Sequence, residues 1–201
     1  MNTRSKRKIW REEVKREILA AALSVFSERG FHRAKMTEIA ERAGVAVGTL
    51  YQYFPSKKAL YETLLFEAAS RIHERVIKVL SREGPPEEIL MKFLEVKLET
   101  LRENETLLKL HLRELWEARF RGVHTEKIRA LFEDYLERLA GILKKLPSPL
   151  SKNPRFYAAL VDGVIATAVV EALEGRIPFP GPKDLWEVLS QALIPGERAH
   201  E

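Results

Sequence analysis

The chain has 201 residues, of which 45% are hydrophobic and 31% charged, and it carries no cysteine. That balance describes a globular protein rather than a disordered one, and the missing thiols exclude disulfides, thiolate zinc sites and cysteine nucleophiles, which fits a reducing cytoplasm. The net charge of +5 is lopsided: residues 1–57 hold 12 Lys+Arg against 6 Asp+Glu, whereas residues 58–201 hold 22 against 23.

An excess of positive charge confined to the first quarter of the chain points to a module that meets a polyanion, with a solubilising basic tail as the alternative. No apolar run reaches the roughly 20 residues of a membrane span, and the charged N-terminus is not followed by the apolar stretch of a signal peptide. Asn and Gln are scarce beside abundant Glu, Arg and Lys, a bias associated with thermophiles.

In chain order, nearly every segment has helical periodicity, and Gly and Pro fall between the periodic segments. A basic arm over residues 1–10 carries Arg4, Lys6, Arg7 and Lys8, continued by Arg11. It is expected either to follow a nucleic-acid backbone or minor groove or to be a disordered tail. The first helix is predicted over 11–29, with Val14, Ile18, Ala21, Ala22, Val25 and Phe26 on one face and Gly30 as its stop. Two short helices follow, about 36–43 and 47–53, around a turn at Gly44, where positive φ is cheap.

The third of these helices bears no charge and presents Val47, Gly48, Thr49, Tyr51, Gln52 and Tyr53, while Ile39, Ala40, Val45, Leu50 and Phe54 can form the core that fixes the crossing angle. Such a helix beside a basic region suits a DNA major groove. Gly48 allows close backbone approach, Thr49 and Val47 can touch base edges or a thymine methyl, and the tyrosine hydroxyls can reach phosphates or bases. Lys57 opens the fourth helix, where its ammonium and free backbone N–H groups can meet a phosphate.

Residues 11–65 resemble the DNA-binding domain of the TetR family of bacterial transcriptional regulators. The resemblance rests on Ile18, Phe26, Gly30-Phe31, Ile39-Ala40, Ala43-Gly44-Val45, Gly48-Thr49-Leu50-Tyr51, Tyr53-Phe54, Lys57 and Leu60 in their order and spacing. It implies DNA contacts from Thr37 and from the outward positions of the third helix. One position departs from the family pattern: Lys35 stands where a Ser or Thr usually caps the second helix. Lys35 is therefore expected to reach a phosphate instead.

Beyond Pro55-Ser56, helices are predicted over about 57–80, 86–102, 105–120, 125–145, 154–173 and 183–193. The eighth helix is apolar nearly all round and rich in small residues, so it is expected to be buried on nearly all sides. The expected architecture is all-α: a helix-turn-helix DNA-binding domain over 11–57, then a larger helical bundle over 58–201. The resemblance implies that this bundle binds a ligand and forms a homodimer, with the last two helices suited to a four-helix interface. A pocket among the fourth to seventh helices is expected to take a hydrophobic or amphipathic effector. Its candidate lining is Leu64, Phe93, Leu94, Leu98, Leu110, His111, Leu115, Trp116, Phe132, Tyr135 and Tyr157.

The histidines (His32, His73, His111, His124, His200) form no HExxH, and no P-loop, GxGxxG or GxSxG motif occurs. A cofactor, a metal and an enzymatic role are therefore not expected. The function expected is a regulator, foremost a repressor, that binds a palindromic double-stranded operator and is released by a small molecule. The alternative is an architectural or activator DNA-binding protein with no inducer.

Overall fold

The structure, a computed structural model, describes residues 3–117, 126–146 and 152–193, without the side chains of residues 3, 4, 6, 113–117, 192 and 193. Among the described residues there are nine α-helices and no strand: α1 (Thr3–Arg29), α2 (Met36–Arg42), α3 (Val47–Tyr53), α4 (Lys57–Leu80), α5 (Pro86–Glu103), α6 (Glu105–Glu117), α7 (Glu126–Leu143), α8 (Pro154–Leu173) and α9 (Pro182–Leu193). The all-α expectation holds.

The chain divides into two compact units, Met1–Ala68 with Thr106–Val123, and Ala69–Glu105 with His124–Glu201. The division falls inside α4 rather than at the 57/58 boundary expected from sequence. Tyr61 explains this: it is 2% exposed and packs against Phe26 and Phe31, which ties the first turns of α4 to the first unit.

In the first unit, α1 begins at Thr3, so the stretch expected as an arm separate from the first helix is helical from that residue on. No Gly or Pro interrupts it, and Lys and Arg are good helix formers. Arg7, Lys8 and Arg11 are exposed on it, as are Ile9 and Trp10. From Val14 onward one face is buried through Ile18, Ala22, Val25 and Phe26. The helix stops at Gly30, whose φ of 78° continues the chain where a Cβ would be strained.

In the second unit α7 packs along α8, and α5 packs on α9 and α7. Phe93, Leu94, Leu139, Leu143 and Ile165 are fully buried at its centre. The expectation that α8 is buried on nearly all sides is not met within this unit. Ala158, Val161, Ile165, Val169 and Leu173 are buried, but Phe156, Leu160 and Val164 are 53%, 47% and 38% exposed. The helix therefore has two apolar faces, one packed and one open. By length and composition alone α8 could cross a membrane, so the apolar-run argument made from sequence does not hold for this segment.

Candidate functional site

The α2–turn–α3 element is set by a short list of backbone bonds. Gly44 takes φ 66°; its N–H donates to Glu41 O at 3.1 Å, and the Val45 N–H donates to Ala40 O at 3.0 Å. These are the paired bonds of a Schellman stop, which satisfies two orphan carbonyls of α2 and turns the chain sharply. At the other end of α2, the Lys35 N–H donates to Glu38 Oε2 at 3.1 Å. That is half of a capping box; the other half is absent because a lysine side chain cannot accept. The Lys35 side chain is exposed.

Helix α2 is held on α1 by an ion pair between Arg42 and Glu28, and Arg42 Nη1 also donates to Ser24 Oγ at 2.7 Å. The Arg42 hydrogen bond, helped by Ser24, holds the Glu28 carboxyl below its usual range.

The seven residues of α3 divide cleanly. Leu50 is completely buried, and Phe54, just past the helix, is 3% exposed. Tyr51 is 48% and Val47 37% exposed; Gly48 and Gln52 are exposed, and Thr49 and Tyr53 half-buried. Tyr53 packs beside Phe54. A Cβ placed on Gly48 would meet nothing within 4 Å. Thr37, on α2, is exposed. Lys57 is placed differently from a free phosphate ligand. Its ammonium donates to the carbonyls of His32 and Ala34, both at 2.9 Å, and sits 4.9 Å from the Phe31 ring centroid. It staples the α1–α2 loop to α4 with two of its three donors.

The second unit contains a partly open cleft with about 550 Å³ of empty space. Ala69, Ile72, His73 and Val76 line it from α4, Lys97 and Leu101 from α5, and Ile128, Leu131, Phe132 and Tyr135 from α7. Its walls are mostly apolar. The polar groups are few: His73 Nε2 lies 2.8 Å from Asp134 Oδ2, and the Tyr135 hydroxyl donates to Asp162 Oδ1 at 2.9 Å. Lys97 Nζ lies 3.3 Å from that same Asp162 oxygen and 4.3 Å from the Tyr135 ring centroid. Burial, with the Asp162 charge and hydrogen bond, pushes the Tyr135 phenol well above its usual value, so it stays a neutral donor.

Of the residues expected to line a pocket, Phe132 and Tyr135 line this cleft. Phe93, Leu94 and Leu98 are buried core of the second unit, and Leu64 and Leu110 are buried in the first. His111 Nδ1 lies 3.3 Å from the Tyr61 hydroxyl, also in the first unit. Tyr157 is half-buried and packs on Phe156. The side chains of Leu115 and Trp116 lie outside the described ones. The sequence did carry a signal for the residues passed over. Lys97 falls four residues after Phe93 and four before Leu101, on the apolar face of its helix, and His73 falls three before Val76. A charged or polar side chain in apolar phase is what a lined cavity produces.

Comparison with known proteins bears on the first unit most directly. Residues 18–64 match the family profile described as bacterial regulatory proteins, tetR family. The HTH-type transcriptional regulator RutR of Escherichia coli K12 is 36% identical over 101 residues, 50% of this chain and 47% of that protein. The fatty acid metabolism regulator protein of Bacillus subtilis is 29% identical over 127 residues, 63% of this chain and 64% of that one. The alignment with RutR thus spans about half the length of that relative. Among solved structures, a candidate fatty acid metabolism regulator of Clostridium perfringens superposes with TM-score 0.68 at 26% identity, covering 88% of this chain and 96% of its own.

Proposed function

We propose that this chain, which belongs to the TetR family of bacterial transcriptional regulators, is a repressor that binds a palindromic operator as a dimer and lets go when a small apolar or amphipathic molecule fills the second unit. The observation that carries the reading is the split of α3, in which Leu50 alone is buried while Val47, Gly48, Tyr51 and Gln52 are exposed and uncharged. Thr37, Thr49 and Tyr53 complete the contact set, and Lys35 supplies a phosphate contact at the edge. Base edges are read by the uncharged helix; the Lys and Arg of α1 add affinity without sequence preference.

A second copy of the chain is the occupant that suits the open face of α8. Phe156, Leu160 and Val164 present apolar surface, and Gly163 between them has open space above it, which permits close helix approach. The helix is not read as membrane-spanning, because Asp162 at its middle is engaged by Lys97 and Tyr135. In α9, Leu185 and Leu189 are buried within the unit, leaving Val188, 59% exposed, for the interface. A two-fold dimer places two α3 helices in successive major grooves, about 34–36 Å apart.

The effector reading rests on the cleft and on the relatives. Two of them are named for fatty acid metabolism, which supports an apolar ligand. Helix α4 contributes residues to both units and lines the cleft. A ligand that binds the off-DNA state more tightly would act through α4, and only that difference in affinity can shift the equilibrium. A domain boundary for function is placed near residue 57, with DNA reading before it and effector binding and dimerisation after it. The chain acts in the cytoplasm and catalyses nothing.

The test is selection of bound duplexes from a random pool with the full chain, followed by binding of the recovered sequence. A palindrome is expected. Tyr51→Ala and Thr49→Ala should each weaken its binding while leaving the unfolding midpoint in place. Recovery of no palindrome, or unchanged affinity in both variants, rules the reading out.

A further inference from the structure

We infer that the cleft takes an apolar monocarboxylate, with the Lys97 ammonium as its counter-charge; the inference rests on the proposed effector-binding role of the second unit. The side chain of Lys97 is only 13% exposed, yet the ion pair it makes among the described residues, with Asp162, is 3.3 Å long. A charge-assisted N–H···O bond closes to about 2.7–2.9 Å when it can. An ammonium has three donors, and here the Tyr135 ring face takes up another side of it at 4.3 Å. The side chain is thus largely shielded from water and held in place, and its contact with the Asp162 carboxylate is a long one.

The sign of the site follows from which polar groups reach the cleft. Lys97 and His73 line it, whereas Asp162 and Asp134, their partners, do not. Among the described residues that line the cleft, an entering anion meets a cation and an imidazole, and an entering cation meets Lys97 with no acid before it. The rest of the wall is aliphatic or aromatic, including Ile72, Leu101 and Phe132, and would hold a hydrocarbon body by burial at roughly 25 cal/mol per Å².

A free carboxylate is called for rather than its ester or thioester. The neutral carbonyl of an ester has too little charge to draw Lys97 away from Asp162. When the carboxylate takes Lys97, the Tyr135 hydroxyl remains as the donor on Asp162. The exchange therefore carries ligand binding from α5 to α8 through a single side chain.

The experiment measures dissociation constants of decanoate, methyl decanoate and decylammonium for the full chain, below their micelle concentrations, by calorimetry. Decanoate should bind at least about ten-fold more tightly than the methyl ester, and the ammonium should be weakest, ten-fold being a conservative share of one desolvated charge contact. Lys97→Met should remove the preference for the acid over the ester while leaving ester binding in place. Asp162→Asn should strengthen decanoate binding several-fold, because the competing carboxylate is gone while an acceptor for Tyr135 remains; a merely structural Lys97–Asp162 pair would give the reverse. Equal binding of acid and ester, an acid preference that survives Lys97→Met, or binding of none of the three overturns the inference. Release of the selected DNA duplex is read in parallel. Decanoate that binds through Lys97 without releasing DNA refutes the regulator reading and leaves this one standing; release by the ester as readily as by the acid does the opposite.

Discussion

Gly48→Ala separates what α3 does for the fold from what it does for DNA. Gly48 is the second residue of a seven-residue helix, it is not among the residues with positive φ, and an added Cβ meets no atom within 4 Å. A glycine in a helix interior costs about 0.8–1.0 kcal/mol relative to alanine. So near the N-terminus roughly half of that, ~0.5 kcal/mol, is expected as a gain in stability. With a urea slope of about 2 kcal/mol/M, the unfolding midpoint rises by ~0.25 M at unchanged slope. On DNA the same methyl stands where the backbone is proposed to approach the groove wall. A loss of ~1 kcal/mol per recognition helix, the low end of a base contact, becomes ~2 kcal/mol in a dimer, or about thirty-fold weaker binding. Circular dichroism in urea and fluorescence anisotropy with the selected duplex measure the two effects on one preparation. A variant that is more stable and binds DNA unchanged refutes the placement of Gly48 against DNA; a variant that is less stable refutes the open space above it.

Other perturbations test neighbouring claims. Leu50→Ala, at a completely buried position, should cost about 2–5 kcal/mol and abolish DNA binding, with the loss read from the urea midpoint. Lys57→Met removes the bonds to the His32 and Ala34 carbonyls and should cost ~1 kcal/mol, while the salt slope of DNA binding changes by less than one phosphate contact. Leu160→Glu on the open face of α8 should give a monomer by sedimentation velocity that retains helical content and loses tight operator binding. For pH, burial alone would raise the Asp134 carboxyl, but hydrogen bonds from His73 and Arg138 outweigh it and hold the group below its ordinary 3.8. Its contribution is then present above that value and is lost as pH falls below it. Comparison with Asp134→Asn should therefore show a stability difference that shrinks as pH falls below the ordinary carboxylate value, read by urea midpoints.

The sequence was legible where local chemistry decides the structure. Gly30 and Gly44 stop their helices at the expected places, both with positive φ, because only the backbone needs to be right for a helix stop. Leu50 and Phe54 were readable as core because a short helix has one inward face. The N-terminal stretch was less legible. Its basic composition suggested an arm, but composition is silent on whether helix propagates back through residues that also favour it, and α1 starts at Thr3. The cleft was least legible. Phe93, Leu98 and Lys97 lie within two turns of α5, and periodicity cannot separate a residue that fills the core from one that borders empty space. That difference arises from how α4, α5 and α7 sit against one another. For α8, composition reported a helix apolar nearly all round, but only the structure shows that its own unit leaves Phe156, Leu160 and Val164 exposed.

The partition of α3 has a consequence for how such proteins diversify. Leu50 inside the helix and Phe54 just after it carry the packing, while the exposed positions Val47, Gly48, Tyr51 and Gln52 contribute little to it. Mutational drift at those positions is nearly free of a folding penalty, since exposed substitutions usually shift stability by about 0.5 kcal/mol or less. If α3 reads DNA as proposed, a duplicated gene acquires a new target sequence in a few substitutions without passing through an unfolded intermediate. On the proposed DNA-reading role, the same freedom makes this helix a compact cassette for retargeting by design, with Leu50 and Phe54 to keep and the exposed positions to choose.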